Sequence, residues 1–212
     1  MKPAPFSIFL SALLFASCFG VSSEITIKKD GSGSIFMVYK ISADLINLGK
    51  LDGNETMPSI PIGEEDFKRT VQRIDGLSLT KFSSKLEQED YIYNITLAFT
   101  KIDSLIEFLD TQGQQCRLSE VDGKKILTIV FSSGYNESEM KELIPIVFAG
   151  YNFDFKLKVP AASKVDFFNA NADKIASPPV GKAELLSRGI NYSAPMGDLF
   201  STEDTVAFEI RW

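Results

Sequence analysis

The sequence predicts an α+β fold in which antiparallel β-hairpins alternate with amphipathic helices, followed by an all-β C-terminal section. Three observations carry this prediction. Apolar residues alternate with polar ones in paired runs separated by short polar turns. Helical 3.6-residue periodicity follows the early pairs, giving strand-strand-helix units. From Tyr151 onward that helical period disappears and only alternation remains. No low-complexity linker divides the chain, so a single globular domain over residues 24–212 is expected.

The first pair is Glu24 to Lys29 and Ser34 to Ser42, joined by Asp30-Gly31-Ser32-Gly33. These glycines lie between two strands without the helix start and Lys of a phosphate-binding loop, so they read as a hairpin turn. Ser42 is a candidate cap for a short helix to Leu48, and Lys50 to Gly63, with Pro58 and Pro61, reads as a loop or flap. Glu64 to Asp75 places Phe67, Val71 and Ile74 on one helical face, with acids in the first turn and Gly76 at the end. A second hairpin joins Leu77–Leu86 to Tyr91–Thr100, and Asp103 is expected to cap the helix carrying Leu105, Ile106, Phe108 and Leu109. The third unit runs Gln115–Glu120, Asp122-Gly123, Lys125–Ser132, then a helix from Asn136 with Glu139 as a capping-box partner and Pro145 ending or kinking it. Tyr151 to Val159 alternates cleanly, Val165–Asn169 and Lys182–Ala194 are further strands, and Val206, Phe208, Ile210 and Trp212 alternate at the end.

The N-terminus has a different character. Lys2 precedes a short apolar run, Phe6 to Ala16, closed by Ala16 and Ser17, which is the layout of a secretory signal. A bilayer span needs about 20 apolar residues, and this run has about half that. Ala16-Ser17-Cys18 resembles the lipobox of bacterial lipoproteins, with Leu14 placed as in the looser spirochaetal form and Phe15 standing where Leu, Val or Ile is usual. The resemblance implies a signal peptide over residues 1–17, cleavage after Ser17, palmitate-type acylation of Cys18 and a lipidated tether over 18–23. Each buried methylene would contribute about 0.8 kcal/mol to membrane attachment. The alternative is an ordinary signal cut after Gly20 or Ser23, giving a secreted protein with Cys18 incidental.

Composition narrows the chemistry. With 44% apolar and 24% charged residues the chain is of globular type, and its formal charge is −6, or −7 once Lys2 is lost with a signal. Like-sign repulsion argues against nucleic acid as a partner. There are no histidines and two cysteines, which excludes a Ser-His-Asp triad, a Cys-His pair and His-containing zinc sites. Cys116 has no intramolecular partner if Cys18 is acylated, so the fold must stand without a disulfide. The acidic groups Glu64-Glu65-Asp66 and Glu87, Glu89, Asp90 read as a helix start and a turn rather than as paired catalytic carboxylates. Sequons at Asn54, Asn94, Asn136 and Asn191 would matter only in a secreted glycoprotein.

The opening strand with Asp30-Gly31-Ser32-Gly33, the helix-hairpin-helix segments and a closing β section with Asn169-Ala170-Asn171 resemble the LppM-type domain of bacterial lipoproteins. Pro160-Ala161 departs from that pattern's Pro-Gly step. The resemblance implies an envelope-exposed α+β module linked with lipid or glycolipid binding, and it transfers no catalytic residues. No cofactor is expected. The function expected is therefore that of a membrane-anchored, non-catalytic bacterial envelope lipoprotein that binds a lipid, a glycolipid or an envelope protein. The other class is a secreted enzyme using carboxylate or Ser/Lys chemistry. The aromatics Tyr91, Tyr93, Phe99, Tyr151, Phe153 and Phe155 suggest an apolar groove between sheet and helix under the Lys50 to Gly63 loop, against the plainer reading that they fill the core.

Overall fold

The structure, a computed structural model, describes residues 19–43, 63–110, 115–133, 148, 150–169 and 171–212. The described strands are β1 (Phe19–Ile27), β2 (Gly33–Ser42), β3 (Leu77–Glu87), β4 (Asp90–Phe99), β5 (Cys116–Val121), β6 (Lys124–Ser133), β7 (Asn152–Lys158), β8 (Lys164–Phe168), β9 (Lys174–Ile175), β10 (Lys182–Leu186), β11 (Gly189–Pro195) and β12 (Thr205–Arg211). The helices are α1 (Glu64–Arg73), α2 (Ile102–Leu109) and α3 (Met196–Ser201). Strand far outweighs helix, so the α+β class holds in its broad form. The alternation does not reveal that the strands separate into two sheets. One is seven-stranded, ordered β10-β11-β7-β1-β2-β4-β3, and the other five-stranded, ordered β5-β6-β12-β8-β9.

The two sheets face each other through the apolar side of each alternating strand. Ile25, Ile35, Ile95, Leu97, Leu157 and Ile190 from the larger sheet are almost fully buried, as are Leu127, Phe208 and Ile210 from the smaller one, in one continuous core. The larger sheet overhangs at β4 and β3, and there the helices complete the cover. Phe67 of α1 is fully buried, with its ring 5.9 Å from Tyr39 and 6.2 Å from Phe82. From α2, Ile102 and Leu105 are buried where the chain crosses from β4 to β5.

Local chemistry sets the connections. At the β1–β2 turn the Asp30 carboxylate accepts hydrogen bonds from the Ser32 amide at 3.0 Å and hydroxyl at 2.8 Å, while Gly31 takes φ +83. Gly33 has a different role: a Cβ there would lie 2.0 Å from the Thr26 carbonyl oxygen and 2.3 Å from the Phe99 ring. The missing side chain lets Phe99 lie over the strand. At the start of α1 the Asp66 carboxylate accepts from the Gly63 amide at 3.1 Å, and the three acids of the first turn sit at the helix's positive end. The Asn169 side chain accepts from the amides of Asn171 and Asp173 at 3.0 and 2.9 Å in the connection between β8 and β9.

Several expectations are revised. β1 begins at Phe19 and pairs Phe19 with Ile41, Gly20 with Lys40 and Val21 with Tyr39, so residues 19–23 are strand and not tether. The run Lys182–Ala194 is a hairpin of two strands. α2 starts one residue before Asp103, which lies in its first turn and is not the cap. α3 was not expected. The proposed helix beyond Ala43, the 50–62 loop, the helix from Asn136, and the signal and Cys18 lie outside the described residues.

Candidate functional site

The six aromatics expected to line one groove are divided between separate surroundings. Phe153 and Phe155, on the inner face of β7, meet Phe131 of β6 at 5.1 and 4.9 Å, and Phe131 also stacks on Tyr192 at 5.0 Å and meets Phe208 at 5.4 Å. This cluster lies between the two sheets. Tyr91 and Tyr93 stack at 6.2 Å and continue through Phe82 to Phe67 beneath α1. Phe99 is 2% exposed over Gly33. Tyr151 lies apart from these, at the end of the sheet where β1 starts. Its ring is 3.0 Å from where a Cβ of Gly20 would be, 5.7 Å from the Lys40 ammonium, and its hydroxyl donates to Asp90 at 3.5 Å. Four of the rings thus fall into two clusters, while Phe99 packs over Gly33 and Tyr151 lies against Gly20. Edge-to-face and stacked pairs of this kind add to burial in fixing the core.

Burial and ion pairing shift the titration of several groups among the described residues. Cys116 is buried, and burial together with the neighbouring Asp110 carboxylate pushes its thiol up to about 12. Asp110 itself accepts the Cys116 amide at 2.8 Å and also that of Gln115, tying the end of α2 to β5. Among the described residues, the carboxylates with shifted titration are shifted down. Glu24 is lowered first by its hydrogen bond from Lys158, Asp30 by Ser32, and Asp75 by Lys101. Asp166 is raised by burial, but the Lys174 hydrogen bond and the charges of Lys164, Lys174 and Arg211 outweigh this and hold it low. A general acid needs the opposite displacement. Among the described residues no group of three or more His, Cys, Asp or Glu side chains is arranged to hold a metal.

The outer face of the larger sheet offers a surface that the sequence did not single out. Strand register aligns Glu184, Asn191, Lys156, Glu24 and Phe36 in one cross-strand row, and Lys182, Ser193, Asp154, Ser22 and Val38 in the next. Between them is an open concavity of about 510 Å³. Asn191 Nδ2 donates to Glu184 Oε2 at 2.9 Å, leaving Asn191 Oδ1 buried without a hydrogen-bond partner. Lys156 lies 3.7 Å from Glu24, which also pairs with Lys158. Phe36 is 44% exposed amid these polar groups. The mixture of both charges, uncharged hydrogen-bonding groups and one exposed ring suits a polar ligand or protein surface better than an acyl chain. Of the sequon residues, Asn94 and Asn191 lie on this outer face, and Asn54 and Asn136 are outside the described residues.

No protein-family model matches the chain, and no curated protein matches it. Among solved structures it is similar to the NMR structure of the folded domain of the LppM protein of Mycobacterium tuberculosis. The two are 11% identical over 93% of this chain and 91% of that one, with a TM-score of 0.46.

Proposed function

We propose that this chain is a membrane-anchored, non-catalytic module of a bacterial cell envelope, attached by acyl chains on Cys18, whose outer sheet face binds a polar partner: a lipid or glycolipid headgroup or another envelope protein. The binding half rests on one observation, the concavity between the Glu184–Phe36 and Lys182–Val38 rows, where hydrogen-bonding groups of balanced charge surround an exposed ring. The anchoring half rests on the sequence, in which a small-residue step and a cysteine follow an apolar run too short to span a bilayer. The buried high-pKa thiol and the lowered carboxylates support a non-catalytic role.

Metabolic labelling with a palmitate analogue tests the anchor: wild type takes up label and Cys18→Ser does not. Equal labelling of both refutes it. For the ligand, native mass spectrometry of the protein isolated from its own host is expected to find a co-purifying polar molecule, or a bound protein, that is lost from Phe36→Ser and Asn191→Asp. Retention by both variants removes the outer face from consideration.

A further inference from the structure

We infer that the outer concavity of the larger sheet takes a neutral, β-1,4-linked saccharide chain, laid across the strands with one ring stacked on Phe36. The inference rests on the reading of the outer face as a binding surface and names the chemistry of what is bound.

The row from Glu184 through Asn191, Lys156 and Glu24 to Phe36 crosses the middle of five strands, at least two residues from either end of each. Neighbouring strands are about 4.8 Å apart, so the row spans about 19 Å. The row from Lys182 to Ser22 lies two residues away along each strand, about 6.7 Å. A trough of these proportions, about 510 Å³ in volume, suits a short chain of linked rings. Its lining is thirteen residues, fewer than the about 20–30 on each side of a standard protein interface.

The charges argue against an ionic ligand. Lys156 and Lys158 both pair with Glu24, and Glu184 accepts from Asn191 Nδ2 at 2.9 Å. The other two charges of the lining, Lys182 and Asp154, are of opposite sign and stand either side of Ser193 in one row. Counting Lys158, three lysines cancel three acids, so neither a phosphate nor an ammonium group meets a field that favours it.

Hydrogen bonding and one ring remain. Among the described residues, the side chains of Lys182, Ser193, Asp154 and Ser22 make no hydrogen bond or ion pair within the chain. Taken across the strands, they offer a donor, a hydroxyl, an acceptor and a hydroxyl at steps of about 4.8 Å. A sugar hydroxyl both donates and accepts, so a chain of pyranose rings can satisfy each in turn, whereas an acyl chain satisfies none. Phe36, 44% exposed, ends the neighbouring row. The C–H face of a gluco-configured pyranose is flat and apolar, and a phenyl ring is the complementary surface.

The probe is chitotetraose, the uncharged β-1,4-linked tetramer of N-acetylglucosamine, titrated by calorimetry into the full chain isolated from its own host in detergent. Saturable binding is expected, at least about tenfold tighter than for N-acetylglucosamine itself. It should be unchanged between about 50 and 500 mM salt, because no ionic contact is there to be screened. Phe36→Ala should weaken it by about tenfold and Phe36→Trp should restore it. Both substitutions leave the core untouched, since Phe36 lies on the outer face, and circular dichroism checks that each variant is folded. Absence of saturable binding, equal binding by Phe36→Ala, or binding that collapses with salt overturns the inference. A lipid or protein that co-purifies with wild type and is lost from Phe36→Ser and Asn191→Asp, with no response to chitotetraose, rejects the saccharide while leaving the outer face as the binding surface.

Discussion

Replacing Phe131 by Ala tests whether the aromatic cluster is a packed core or the wall of a ligand site. Phe131 is surrounded by Phe153, Phe155, Tyr192 and Phe208, with ring centres 4.9 to 5.4 Å away. Truncating a core Phe to Ala costs about 3–5 kcal/mol, the transfer term plus the cavity left behind. Phe131 is partly buried, so we take the low end, about 3 kcal/mol, which already includes the loss of its ring pairings. For a domain of this length each kcal/mol is worth about 2–4 °C, giving a fall in midpoint of about 6–12 °C. That is a large part of a total stability of about 5–15 kcal/mol. Urea unfolding followed through Trp212, which packs against the core, measures it. Phe36→Ala is the control, because a ring 44% exposed on the outer face should cost about 0.5 kcal/mol or less. A loss below about 1 kcal/mol for Phe131→Ala would mean that the rings are not close-packed, and would favour an apolar site between the sheets, a different place from the sheet–helix groove expected under the Lys50 to Gly63 loop.

Two further outcomes follow from buried titratable groups. Asp166 is 6% exposed at its side chain and is held low by Lys174, Lys164 and Arg211, so its contribution is complete above the unfolded carboxyl value of about 3.9 and is lost as pH falls through the lower folded value. Asp166→Asn should therefore cost about 1–2 kcal/mol at pH 7, the partner cations being largely solvated, with the gap to wild type closing below about pH 4; a gap unchanged from pH 7 to pH 3 would assign the effect to shape. Cys116, with its thiol near 12, should resist a thiol reagent at pH 8 in the native protein, where about one in ten thousand is thiolate, and react fully in urea. Stoichiometric native labelling within minutes would show that the β5 edge opens.

Much of the local structure was legible because it is written in periods of two and 3.6. The Tyr91–Phe99 alternation does share one face, α1 keeps its acidic first turn, and the turns at Asp30-Gly31 and Asp122-Gly123 stand where their residues indicate. What periodicity leaves out is the partner. Phe153 and Tyr93 show the same alternation, yet one faces the second sheet and the other faces α1, a distinction made by residues distant in sequence. The β10–β11 turn at Ser187-Arg188 lacks an Asn-Gly or Asp-Gly signal, with Gly189 serving instead to let the backbone pass Leu157, whose carbonyl oxygen would be 1.9 Å from a Cβ. α3, six residues long, has too few turns for a helical period to show. The outer concavity was invisible for a related reason: Ser22, Asp154, Lys182 and Asn191 meet only through strand register.

The parallel pairing of β1 with β7 has a consequence in time. Strands β1, β2, β3 and β4 pair in antiparallel fashion within the first half of the chain, whereas Val21 meets Phe153 and Glu24 meets Lys158 only after more than a hundred further residues are in place. Pairing over such separations is slow, because the chain between must be ordered first. While the chain is incomplete, then, one side of β1 is an open edge, with unpaired amides and carbonyls from Val21 to Thr26. If Cys18 is acylated before the C-terminal strands arrive, this unfinished edge waits at the membrane surface. A chain truncated before Asn152 would keep it open permanently, and should self-associate through it in a way that the complete chain does not.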